Sequence, residues 1–174
     1  MEMTAEQVQI LQKVAIKTLE NEAKTTQRVI EAIPADHSDY KPDPVSMTSL
    51  ELAKHIAISE LHFLRGVARG AFDFSEKVPE SVKTPSDVAN WYSAEVKTLM
   101  AELKALPPEK AGQIIDFRGF LQLPAVLFVN LAVNHSIHHR GQLSTHLRPA
   151  GGKVPSIYGP SYEDQQAQKA ASAN

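Results

Sequence analysis

Three histidines fall within five residues in the run Asn134-His135-Ser136-Ile137-His138-His139-Arg140-Gly141-Gln142. Two imidazoles four residues apart on a helix project from one face, a turn apart, so His135 and His139 can reach one divalent ion beside the helix. The chain contains no cysteine. Disulfide frameworks, thiolate-ligated zinc and cysteine nucleophiles are therefore excluded, and imidazole and carboxylate remain as the strong metal ligands.

At about 100° per residue, Phe128, Leu131 and Ala132 share a helical face with His135, His139, Gln142 and His146. The stripe that should face a core thus turns from apolar to imidazole partway along. Histidines set against a core are unfavourable without partners, and that change points to a binding site. His138 falls to one flank, as a donor behind the ligands, a solvent contact or a substrate group. His146, two turns beyond His139, is expected to bond locally, and His37 lies in a proline-rich segment without an evident partner.

An open catalytic site needs a third protein ligand. His55 and His62 are candidates, but the helical wheel sets both opposite the apolar stripe of Leu50, Ala57 and Leu64. Glu60 projects from within that stripe and competes as ligand or as acceptor behind one.

Several elements must position these residues. Thr4 with Gln7 forms a capping-box pattern ahead of a long first helix ending before Pro34. Pro34, Pro42 and Pro44 make the next segment irregular, and Thr48 with Glu51 opens a second helix that Gly70 stops. Thr84 and Pro85 open a third, which Pro107 and Pro108 close. Residues 109–121 pair as a short hairpin or lie extended. A fourth helix runs from near Pro124 to about Arg148, followed by an irregular segment and a frayed or weakly helical end. The pattern predicts an all-α protein, a four-helix bundle with a short extended segment before the last long helix, as one domain over 1–160 with a partly flexible tail over 161–174.

The 174 residues carry 18 basic and 20 acidic side chains, for a formal charge of -2. No block of like charge suits a phosphate backbone, so nucleic acid is not an expected partner. Met1–Gln12 lacks the basic-then-apolar order of a secretory signal, and the run Phe120–Val133 is too short for a membrane span. A cytoplasmic protein acting on a small molecule, away from membranes, is the expectation.

The run Asp39-Tyr40-Lys41-Pro42, then Ser49-Leu50-Glu51-Leu52-Ala53-Lys54-His55-Ile56 with Glu60, and later Asn134 through Leu143 with Leu147-Arg148, resembles the DinB/YfiT-like superfamily. So does the trailing Gly151-Gly152-Lys153-Val154-Pro155-Ser156-Ile157-Tyr158-Gly159. The resemblance spans about residues 5–160, and its most specific string is His-His-Arg-Gly-Gln. It implies an up-down-down-up bundle in which His55 of the second helix joins His135 and His139 of the fourth around a divalent ion, zinc or nickel foremost. It also implies a homodimer. Family activities include thiol-dependent enzymes, among them bacillithiol S-transferases, mycothiol-dependent maleylpyruvate isomerases and glutathione-dependent relatives, and metal-dependent hydrolases.

The resulting expectation is a metal-dependent enzyme of S-transferase or hydrolase type. Without cysteine, any thiol must be a low-molecular-weight cosubstrate. Glu60, His138 and Gln142 are the candidates for orienting or proton-transfer roles, and Arg140 or Arg148 for binding an anionic group. The alternative is a non-catalytic metal- or small-ligand-binding bundle.

Overall fold

The computed structural model describes residues 3–172. Its long helices are α1 (Ala5–Glu31), α2 (Ser49–Arg69), α3 (Pro85–Ala105) and α5 (Ala125–Leu147). Between α3 and α5 lie a one-turn helix, α4 (Pro108–Ala111), and two short strands, β1 (Ile114–Phe117) and β2 (Leu121–Pro124); α6 (Tyr162–Ser172) ends the described chain. Among the described residues, no helix is long and apolar enough to cross a membrane.

The helix starts follow from their caps. Thr4, Thr48 and Thr84 each accept the backbone N–H three residues on, while the side chains of Gln7, Glu51 and Asp87 accept from the cap backbone in return. Two otherwise orphaned donors are satisfied at each start. Gly70 ends α2 in the left-handed region at φ 76°, which a side chain would disfavour, and its N–H donates to the Gly66 carbonyl.

Cross-helix contacts fix the directions. Val8 clusters with Val126 and Glu22 pairs with Arg140, so α1 and α5 run parallel. Glu60 meets Tyr92 and Arg65 meets Glu95, so α2 and α3 also run parallel. His55 lies against His139 while Phe63 lies against Phe128, which makes α2 antiparallel to α5. Gln12 donates to the carbonyls of Leu103 and Leu106, which sets the start of α1 beside the end of α3. The order is up-down-down-up. Each long helix packs against two others, and Leu19, Ile30, Ile56, Leu61, Leu64, Phe128 and Leu143 are completely shielded in the shared core.

The segment left open between hairpin and extended chain is a hairpin. Ile115 pairs with Leu123 and Phe117 with Leu121. Arg118 and Gly119 turn the chain at positive φ, 55° and 75°, and Asp116 Oδ2 accepts the Gly119 N–H at 2.8 Å. The tail over 162–172 is helical and is held through Arg148, which donates twice to Glu163.

Candidate metal centre

The second and fourth long helices, α2 and α5, bring His55, His135 and His139 together. Each ring offers a ligand atom within 4.8 Å of the other two, and all three are half-buried. Among the described residues, this is the cluster of three or more such side chains close enough to share an ion. Two nitrogens bound to one tetrahedral ion stand about 3.3 Å apart, given bonds of about 2.0–2.1 Å. His55 Nε2 and His139 Nε2 are 3.1 Å apart.

Hydrogen bonds behind the rings aim them. Gln142 Oε1 is an acceptor only, so at 2.8 Å it takes the proton of His139 Nδ1 and leaves Nε2 with a free lone pair. Ser59 Oγ lies 3.4 Å from His55 Nδ1. His135 Nδ1 is buried without a hydrogen-bond partner among the described residues, an uncompensated polar atom that a cation bound to it would relieve. The donor set, three imidazoles with an orphaned nitrogen among them, fits a divalent ion.

Electrostatics favour the neutral form of His135 and His55, the form that ligation requires. Burial, with repulsion from His139, His55 and His138, pushes His135 down to about 4. Burial first, then His139, also lowers His55. Aromatic rings form one wall of the site. Phe63 lies 6.1 Å from the His135 ring and stacks on Phe117 of the hairpin at 5.2 Å; Phe72 packs edge-on against Phe117 and Phe128. This apolar backing strengthens any charge interaction made inside it.

From His139 a cleft of about 580 Å³ runs along α5, between Leu52 of α2 and the loop carrying Pro42, Ser46 and Met47. Gln142, Thr145 and His146 continue its α5 side.

The DinB family model matches residues 4–170. The chain belongs to the DinB family. Among its relatives, the uncharacterized protein YjoA of Bacillus subtilis is 31% identical over 129 residues, which covers 72% of this chain and 82% of YjoA. The uncharacterized protein YrdA of the same organism is 26% identical over 154 residues, 86% of this chain and 89% of YrdA. The crystal structure of YjoA, described as a DinB-like protein, superposes with a TM-score of 0.71 at 27% identity, covering 84% of this chain and 98% of YjoA. A DinB-like protein from Bacillus cereus shares the fold at a TM-score of 0.71 and 24% identity, covering 83% of this chain and 95% of its own.

The remaining candidates of this DinB protein are dispersed around the triad. His138 is exposed, its ring 4.8 Å from that of His139, and its Nε2 accepts from Gln142 Nε2 at 3.2 Å. Glu60 is sealed in the core and does not join the cluster. Tyr92 donates to its Oε1 at 2.7 Å and Ser136 bonds its Oε2. Burial outweighs these bonds and raises the Glu60 carboxyl to about 7.

Four expectations need correction. Arg140 does not reach a substrate: it is buried, with Nη2 2.5 Å from Glu22 Oε2 and 2.7 Å from the Tyr158 hydroxyl, and Nη1 bonded to Thr26 and the Glu22 carbonyl. It points away from the histidines because that side of α5 packs on α1. Arg148 is exposed but committed to Glu163. His146 bonds across to α2, not locally, with Nδ1 3.3 Å from Ser49 Oγ. His37, without a partner by sequence, has Nδ1 3.1 Å from the Ala150 carbonyl.

Tyr92, Ser136, Glu22 and Tyr158 were not legible as participants. Ser136 sits inside the histidine motif, yet a serine in a helix carries no signal of a buried carboxyl opposite.

Proposed function

We propose that this DinB protein is a divalent-metal enzyme acting on a small molecule, of thiol-dependent transferase or hydrolase type, with His55, His135 and His139 as ligands. The observation that carries this reading is the convergence of three imidazoles beside a cleft. No carboxylate of the described residues belongs to the cluster, so the three ligands would leave the charge of a bound ion uncompensated. When bound, such an ion supplies Lewis acidity, lowering the pKa of a coordinated water or thiol into the neutral range.

The protein's own groups do the rest. Gln142 holds the His139 tautomer through Nδ1. His138, exposed beside His139, is placed to exchange protons with solvent. Glu60 is sealed from the cleft and acts only through Ser136 and Tyr92, so its role is positional. The Phe63 wall keeps one side of the site free of water. Zinc and nickel both accept three imidazoles, and availability decides between them. A homodimeric assembly belongs to this reading, and sedimentation velocity decides it.

The test uses cobalt(II) as a spectroscopic stand-in. Addition of a low-molecular-weight thiol to the cobalt-loaded protein is expected to produce a thiolate-to-cobalt absorption band that vanishes in His139→Ala. A spectrum indifferent to thiol and to exchangeable water would show a closed shell and favour a non-catalytic metal-binding bundle.

A further inference from the structure

The far end of the cleft holds a second imidazole that the triad does not use. His146 is 5% exposed, yet it lines the cleft together with His139. Its orientation is set by a chain of hydrogen bonds. Ser49 Oγ donates to the Tyr40 carbonyl at 3.2 Å, which commits the single hydroxyl proton. The 3.3 Å contact between Ser49 Oγ and His146 Nδ1 is then donated by the ring, Nδ1–H to Oγ. The edge of the Tyr40 ring packs against the same imidazole, with centroids 5.7 Å apart.

Nε2 is consequently the unprotonated nitrogen. It bonds none of the described residues, and it is not among the atoms sealed from solvent without a partner; with His146 lining the cleft, it opens there. Burial lowers the pKa of His146, which favours the neutral ring, although the nearby Asp43 carboxylate opposes this. The cleft therefore presents an acceptor lone pair at the end away from the triad. His139 and His146 are seven residues apart on α5, about 10 Å along the helix axis.

Resting on the metal reading above, the geometry points to a binding subsite at His146 Nε2 for the distal end of an extended substrate, which carries a hydrogen-bond donor, an amine or hydroxyl, about two helical turns from its metal-bound end. The complementarity is one of hydrogen bonding and length. A cation at the triad suits an anionic head, and the acceptor lone pair at His146 suits an N–H or O–H donor, most strongly a protonated amine.

Paired hydroxamates test this without assuming a thiol substrate, because the hydroxamate binds the metal and only the tail differs. Affinities of hexanohydroxamic and 6-aminohexanohydroxamic acid are measured on the cobalt(II)-loaded full chain, beside the short pair acetohydroxamic acid and glycine hydroxamate. The expected result is that the long amine binds about tenfold tighter than its alkyl counterpart, the yield of one charge-assisted hydrogen bond, and that the short amine gains nothing. His146→Asn keeps an amide near the Nδ1 position for Ser49 but withdraws the cleft acceptor, and should abolish the tenfold ratio; His146→Gln places an amide oxygen near Nε2 and should preserve it. Equal binding of the long pair by the unmodified protein, or a ratio that survives His146→Asn, overturns the subsite while leaving the metal reading intact. Failure of every hydroxamate to bind overturns both.

Discussion

Replacing Glu60 with glutamine keeps the shape of the side chain and removes one titration from the centre of the bundle. The amide imitates the protonated carboxyl, with an oxygen to accept from Tyr92 and an N–H₂ to donate to Ser136. In the native protein burial raises this carboxyl from 4.5 to about 7, which corresponds to roughly 3 kcal/mol. A group whose folded pKa lies above its unfolded value contributes its full stability below the unfolded pKa and loses it as pH rises through the folded one. Between pH 4.5 and about 7, the unfolded chain ionises Glu60 while the folded chain holds it neutral. The unmodified protein should therefore lose about 3 kcal/mol relative to Glu60→Gln on going from pH 4.5 to pH 8, about 6–12 °C in the difference between their Tm values. His55, His135 and His146 have lowered pKa values, so their contribution runs oppositely and is lost as pH falls. They are present in both proteins and cancel in the difference. Urea unfolding of the two proteins, held metal-free with chelator, reads it directly. Stability curves that stay parallel from pH 4.5 to pH 8 would refute a buried, neutral Glu60.

Gln142→Ala should cost about 10–100-fold in metal affinity by competition titration, because it frees the His139 tautomer; the overall fold, read by circular dichroism, should be unchanged. Arg140→Ala should destabilise by about 3–5 kcal/mol in urea, since it strands Glu22 in a largely buried site, and an unchanged midpoint would mean that the pair is solvated. In Gly66→Ala the added methyl would stand 2.2 Å from the Phe72 ring, so a loss of about 1–3 kcal/mol is expected, with displacement of the Phe72 and Phe117 signals in NMR spectra.

The ends of the helices were readable because their signals are local. Thr4, Thr48, Thr84 and Gly70 act on backbone within one turn, and all four do so here. Less local features were partly hidden. A wheel drawn from the apolar stripe of α2 sets His55 on the polar side, yet that edge of α2 faces α5, and a half-buried edge between two helices is where a ligand belongs. Glu60 was recognisable as facing the core; its partners were not, because Tyr92 and Ser136 are 32 and 76 residues away in sequence. The wheel does turn Arg140 away from the histidines, but its buried partners on α1 are hidden for a related reason. On a helix packed against both α1 and α2, the side opposite the histidines is a second interface rather than solvent. The hairpin stayed ambiguous because its turn rests on Arg118, a residue that gives little sign of a positive φ. The family resemblance supplied His55 where periodicity did not.

Metal content is the most direct test of the triad. Protein produced without an affinity tag, exchanged into metal-free buffer and analysed by plasma mass spectrometry, is compared with His55→Ala, His135→Ala and His139→Ala prepared identically. Tight ligation by all three imidazoles predicts about one divalent ion per chain in the unmodified protein and a substantial loss in each variant, with His55→Ala as affected as the two changes on α5. Equal metal content in all four proteins would contradict the proposed site.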